Sequence, residues 1–418
     1  MRVLYISYDG MTDPLGQSQV LPYLQGIAES GYDIHLLSFE KKKNLEKENQ
    51  LIQDTCNKSG ITWHPRPYTA KPPVLSSIYD FLEMRSVVKQ LHKKYAFNLV
   101  HCRSYLTGMA GMLLKKKFGV KFLLDIRGFW ADERVEGGLW NLRNPVFNSI
   151  YHFFKIQEKQ MFIAADGIIS LTAKAVPIIR EIQDEASGSN PIEVIPCCVD
   201  THLFNPATIR EKDREVLRKQ LNLPDGAFTL CYLGGIGTWY KAAEMFDFFN
   251  RLLLRFPEAR CLFITREREE ILQRMAAERN IPSSRIIVKA AARKEVPLYL
   301  SLADASIYFI MDSFSKQASS PTKQGEIMSM GIPLICNPGV GDSSDILEAN
   351  SIGYICRGYN AEAYDKIINT LEFPAKPEEK KHLREVALQN FSLEDGIRKY
   401  LAMYQRLIRN DDKAHSLE

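Results

Sequence analysis

Short apolar runs of β type recur along almost the whole chain, and each is followed by a stretch with helical spacing before the next begins. VLYIS, DIHLLS, NLVHCR, KFLLDIRG, DGIIS and EVIP form a first series; LCYLGG, ARCLFIT, SRIIVKA, ASIYFIM, PLICN and GYICR form a second. Strands this short and this apolar are buried on both faces, which a parallel sheet covered by helices on each side provides. Strand, helix, strand in repetition is an α/β arrangement. The chain's 418 residues exceed what one core normally organises, so the two series predict two Rossmann-like domains. We place the first at residues 1–200 and the second at 201–375, with CCVDTHLFNP reading as the linker and helices filling 376–418. Ligands of such sheets collect at the carboxyl ends of the strands, so two facing domains would hold theirs in a cleft.

Composition narrows the function classes. Hydrophobic residues at 45% and charged residues at 25% exclude a disordered chain. A formal charge of +4 gives no bulk argument for a nucleic-acid partner, and none is expected. None of the eight cysteines forms a CxxC pair, so neither a zinc framework nor a disulfide scaffold is expected, and buried thiols in a reducing compartment are. The N-terminal MRVLYISYDG turns polar too early for a signal peptide, and no apolar run approaches the roughly 18 residues of a membrane span. The expectation is a cytoplasmic protein, peripheral at the inner membrane surface.

The densest run of special residues is SPTKQGEIMSMGIPLICNPGVGD, Ser320 to Asp342. It lies between two strands, so its first half is a loop and short helix. Ser320 or Thr322 can cap that helix, with Pro321 where no backbone donor is needed. Helix-end amides beside the Lys323 ammonium form an anion site suited to phosphate. Glu326, one turn further, can meet a ribose diol or a sugar hydroxyl, and Gly339 and Gly341 form a tight turn exposing more amides. The same residues are also compatible with an ordinary loop and a surface Lys323–Glu326 pair.

This stretch resembles the donor segment of retaining glycosyltransferases of the family 4 type, which have the GT-B fold. Glu326, Met330–Gly331, Pro333–Leu334–Ile335 and Gly339–Val340–Gly341 carry the match. DPLGQSQVLPYLQGIAESGYDIHLLS and NFSLEDGIRKYLAMY extend it over nearly the whole chain. The resemblance implies sugar transfer from a nucleotide-sugar, without metal or other cofactor, to a hydroxyl of a glycan or lipid-linked glycan. It also implies that Glu326 binds the donor ribose and that the closing helix packs back on the N-terminal domain.

Three departures stand out. Many members carry a first glutamate eight positions before the second; here that position is Ala318, as in the SPTK branch with a single glutamate. The phosphate clamp keeps Lys241, but Gly235 occupies its arginine position, which makes Arg266 the candidate replacement. Where members place a histidine near the reacting carbon, this chain has Arg127, which can stabilise charge on the leaving phosphate but cannot act as a base. Asp125 is then the partner that orients Arg127.

The expected catalytic set is therefore Arg127, Lys241 and Lys323. Thr322, Glu326, Arg266, Gly339 and Gly341 complete the donor site, with Gly16 allowing close backbone approach. Asp13, Gln17, Asp132 and Glu133 are expected on the acceptor side, although Asp13 and Pro14 are equally suited to shaping the turn. A nucleotide-sugar-binding or scaffolding protein of the same fold without turnover is the alternative, and a phosphorylase or epimerase lacks its recognisable residues. Basic, part-apolar GMAGMLLKKKFG and aromatic IYHFFKIQEKQMF are the stretches expected to meet a membrane, although the run Lys115–Lys117 is equally suited to a solvated helix end.

Overall fold

A computed structural model describes residues 1–72, 74–184 and 190–415. The chain divides into two compact units, Met1–Pro196 with the segment from Leu393 onward, and Cys197–Ser392.

Unit 1 opens with β1 (Arg2–Ser7), α1 (Pro14–Gln19), α2 (Leu21–Glu29), β2 (Asp33–Glu40), α3 (Lys42–Lys58) and β3 (Thr62–Pro67). It continues through α4 (Leu75–Tyr95), β4 (Leu99–Arg103), α5 (Tyr105–Phe118), β5 (Lys121–Asp125) and α6 (Trp130–Glu136). Then come α7 (Pro145–Ala164), β6 (Gly167–Ser170), α8 (Ala175–Asp184) and β7 (Ile192–Val194). Its seven strands run β3-β2-β1-β4-β5-β6-β7. All pairings are parallel, with Val3 beside both Ile34 and Leu99. The order turns back between β1 and β4. The expected single helix from Gln17 is instead two, because Val20 leaves helical geometry at φ −127°.

Unit 2 holds α9 (Glu211–Gln220), β8 (Thr229–Leu233), α10 (Ala242–Arg255), β9 (Arg260–Ile264), α11 (Glu269–Ala277) and β10 (Ile286–Lys289). It continues with α12 (Val296–Leu300), β11 (Ala305–Tyr308), α13 (Thr322–Ser329), β12 (Leu334–Cys336) and α14 (Ser343–Ala349). β13 (Tyr354–Ile355), α15 (Ala361–Thr370) and α16 (Pro377–Phe391) complete it. Its six strands run β10-β9-β8-β11-β12-β13, turning back between β8 and β11. α10 shows how sequence places a helix: Met245, Phe246, Phe249 and Leu252 are buried, while Asp247 and Asn250 face outward. Each large apolar side chain so buried stabilises by about 1.5–3 kcal/mol.

The last helix, α17 (Leu393–His415), belongs to unit 1 and packs on α2. Residues 376–418 thus contribute one helix to each unit. The change of unit falls at 196/197 rather than 200/201, and CCVDTHLFNP is no loose linker. Cys197, Cys198, Val199 and Phe204 are buried, and the Val199 N–H donates to the Phe391 carbonyl at 2.8 Å. All eight cysteines are buried free thiols.

Candidate functional site

In unit 2 the β8/β11 reversal is the point where an α/β sheet opens a crevice beyond its strand ends. Tyr232 near the end of β8 and Tyr308 at the end of β11 flank it. Lys323, on the first turn of α13, reaches the same point and is only 8% exposed. Its Nζ donates to the Tyr232 hydroxyl at 3.1 Å. It lies 4.3 Å from the Tyr232 ring centre, 3.9 Å from that of Tyr240 and 6.0 Å from that of Tyr308. Ring faces attract a cation but replace water only in part. Burial therefore lowers the Lys323 pKa to about 7, against the opposing pull of Glu326 and Cys231. Gly234, at φ +106°, makes room: a Cβ there would come within 3.2 Å of the ammonium.

Two further lysines of this unit rest on aromatic rings. Lys241 is the N-cap residue of α10. Its Nζ lies 4.5 Å from the Tyr359 ring centre and 3.5 Å from Glu244 Oε1. Lys316 places Nζ 3.7 Å from the Trp239 ring centre. The loop Trp239–Tyr240–Lys241 thus supplies two of these rings and one of the cations.

Glu326 is buried and accepts from Arg293 Nη1 at 2.9 Å. Burial raises its pKa, with Arg293 opposing. Arg293 itself lies 5.4 Å from the Phe204 ring centre. The surface Lys323–Glu326 pair is therefore not formed: one residue turns to tyrosines, the other to arginine. Neither Ser320 nor Thr322 caps α13, whose N-cap is Pro321 without a side-chain bond. Ser320 Oγ instead accepts from the Cys197 N–H at 3.1 Å.

The glycine turn has a more internal role than the sequence implied. Gly339, at φ +87°, sits so close to Asp312 that a Cβ would collide with its carboxylate. The Gly341 N–H is spent on the Lys316 carbonyl at 2.8 Å. Gly235 stands where a clamp arginine was expected, and its carbonyl accepts from the Tyr232 hydroxyl at 2.6 Å. Arg266 is exposed, two residues past β9. Its neighbour Glu267 is the residue that meets this turn, accepting from the Ile236 N–H at 3.3 Å.

In unit 1 charges at the strand ends are paired with opposite charges. Asp9, after β1, accepts from Arg103 Nε at the end of β4 at 3.2 Å, across that sheet's reversal point. Asp125, closing β5, is wholly buried; Arg127 Nη1 donates to it at 3.3 Å and the Tyr400 hydroxyl of α17 at 2.8 Å. Burial pushes the Asp125 pKa up, but Arg127, His101 and Arg103 outweigh it and hold the carboxyl well below the usual range. His101, its pKa lowered by burial, shares a 2.7 Å bond with the Tyr404 hydroxyl.

The expected acceptor residues are engaged inside the unit. Asp13 accepts from Lys41 at 2.8 Å and from Asn44 at 2.6 Å. Gln17 bonds Glu48. Asp132 accepts from the Tyr151 hydroxyl and Lys155 Nζ, each at 2.8 Å, and Glu133 follows it on the first turn of α6. Gly16 serves its own loop, since a Cβ there would run into the Gly10 carbonyl and Met11. That loop is tied down by buried Glu40, which accepts from the Met11 N–H at 2.7 Å and the Thr12 hydroxyl at 2.6 Å.

Sequence reading missed Glu40, Arg103, Arg293 and the tyrosine box. A signal existed for the first two: each is a charged residue at the carboxyl end of a buried strand. Arg293 and the tyrosines carry no such mark. Among the described residues no group of three or more His, Cys, Asp or Glu is placed to hold a metal ion.

Comparison with known proteins agrees with this architecture. Residues 18–203 match the family model Glycosyltransferase Family 4 and residues 213–387 the model Glycosyl transferases group 1. No curated protein sequence matches the chain. A glycosyltransferase from Rickettsia africae superposes with TM-score 0.73 at 16% identity, over 98% of this chain and 99% of that one. Sucrose-phosphate synthase from Thermosynechococcus elongatus gives the same figures, 0.73, 16%, 98% and 99%. Anabaena HepE, solved in complex with UDP-glucose, gives 0.67 at 13% identity, over 97% and 100%. With the fold shared end to end and each half matched by its own model, the chain is a GT-B-fold glycosyltransferase homologue of the family 4 and group 1 type.

Proposed function

We propose that this protein transfers a hexosyl group from a nucleotide-sugar to a hydroxyl of a glycan or lipid-linked glycan, with retention at the anomeric carbon. The work would serve surface polysaccharide or glycoconjugate synthesis. Unit 2 binds the donor and unit 1 the acceptor. The carrying observation is Lys323, a nearly buried ammonium bonded to a phenol rather than a carboxylate. A cation without a neutralising acid at a strand-end crevice favours an anion, and a nucleoside diphosphate is the anion that sugar transfer releases.

In this reading the bond from the anomeric carbon to the β-phosphate oxygen breaks as the acceptor hydroxyl forms its own bond on the same face. The hydroxyl proton passes to the departing phosphate. Lys323 and Lys241 stabilise the developing charge. Glu326, held by Arg293, accepts from the ribose hydroxyls. HepE, which shares the fold, was solved with UDP-glucose, so a nucleotide-sugar is the donor class to try first.

The test is thermal stabilisation by UDP-, GDP- and ADP-sugars, repeated with Lys323→Ala and Glu326→Ala. One nucleotide class should raise the melting temperature, and both substitutions should weaken that rise. Absence of any rise would overturn the donor assignment. Ala318 and Gly235, each lacking the family's charged group, favour as second reading a nucleotide-sugar-binding or scaffolding protein without turnover. Nucleoside diphosphate release that depends on added acceptor separates the two.

A further inference from the structure

The steps β3 to β4, β4 to β5 and β5 to β6 all run the same way across the first sheet. Right-handed crossovers therefore put α4, α5 and α7 on one face of it, where α5 packs against both of the others. Two properties of this face are unusual for a surface turned only to water.

The first is apolar exposure. On α4, Leu75, Ile78, Tyr79 and Leu82 are 50–64% exposed. Their spacing of three, four and seven residues sets them in one stripe. On α7, Val146, Phe153 and Ile156 are 46–62% exposed, and Leu139 just before that helix is 58% exposed. Between α5 and α7 lies a groove of about 490 Å³, floored by Met112 and Leu113 and rimmed by Lys116, Lys117 and Gln160.

The second is charge. The three helices carry nine Lys and Arg against three Asp and Glu, an excess larger than the +4 of the whole chain. Each of the three acids is engaged. Asp80 is buried and accepts from the Tyr8 hydroxyl at 2.8 Å. Glu83 stands 3.7 Å from Arg66, and Glu158 is buried against Tyr105 and Lys155. Lys93, Lys94, Lys116 and Lys117 are exposed.

We propose that the α4–α5–α7 face of unit 1 docks on an anionic lipid bilayer, with the apolar stripes entering the headgroup region and the lysines meeting lipid phosphates. Apolar residues beside an excess of cations match a surface that is negative outside and apolar beneath. A soluble acidic protein or a nucleic acid would match the charge but leave the apolar stripes unexplained. This widens the two stretches singled out from sequence to include α4. It uses unit 1 alone and does not rest on the transfer reading.

The full chain is sedimented with vesicles of phosphatidylcholine alone or mixed with phosphatidylglycerol. Binding is expected with the mixed vesicles only, falling as salt rises. Leu75→Ser with Ile78→Ser and Leu82→Ser, and separately Lys116→Glu with Lys117→Glu, should each lower it at least about tenfold. These positions are exposed, so melting temperature and nucleotide-induced stabilisation should be unchanged, which separates failure here from failure of the donor site. Equal binding to both vesicle types, none to either, variants that bind like the parent, or heparin binding as tight as vesicle binding would overturn the proposal.

Discussion

The two sheets share a topology but surround the cation at the strand-end reversal differently. In unit 2 Lys323, nearly buried, lies over an aromatic ring and bonds to a phenol. In unit 1 Arg103, Arg127, Lys155 and Lys41 each meet a carboxylate. A ring leaves a cation's charge uncancelled; a carboxylate cancels it. The same strand-end geometry thus leaves Lys323 on a phenol and pairs Arg103 and Arg127 with carboxylates.

The comparison breaks most visibly at Asp125. If its role is to balance Arg127, Asp125→Ala takes a wholly buried carboxylate partner from Arg127 and from the Tyr400 hydroxyl and should cost about 3–5 kcal/mol of stability, read from denaturant melts. The folded pKa lies below the ordinary value, so this contribution is present above about pH 4 and is lost as pH falls below it. A loss well under about 1 kcal/mol would show that the pair is not balancing anything.

In unit 2 the expected effect is on ligand affinity. Lys323 must carry its proton to hold a diphosphate, and in the free protein it begins to lose it near pH 7. Tyr232, Tyr240 and Tyr308 surround it, with Glu326 and Cys231 the groups that favour its charge. Affinity for nucleoside diphosphate should therefore fall by up to about tenfold per pH unit above that point. In Lys323→Met it should be weak and flat. Calorimetric titration between neutral and alkaline pH measures both, and a flat wild-type profile would remove Lys323 from phosphate binding.

The smallest effect belongs to Asp13. Its partner Lys41 is 55% exposed, so Asp13→Ala should change stability by under about 1 kcal/mol and leave turnover within a few-fold. A large loss of turnover at unchanged melting temperature would return Asp13 to the acceptor site.

Periodicity alone determined the two α/β units, because alternating apolar strands and helices have few ways to bury their faces. It also placed Lys323, Glu326, Gly339 and Gly341 in one segment, because neighbours in sequence remain neighbours in a loop. What sequence could not decide was which partner each charge would take. Lys323 and Glu326 stand one turn apart, yet Tyr240 and Arg293, more than thirty positions from their partners in the chain, claim them separately. Gly16 and Gly341 looked like places for a ligand's close approach, and the folded chain fills one with its own backbone and spends the other's amide on Lys316. The helix that seals Asp125 with Tyr400 comes from the far end of the sequence. Contacts of that kind depend on how remote strands and helices are laid side by side, and no local pattern encodes them.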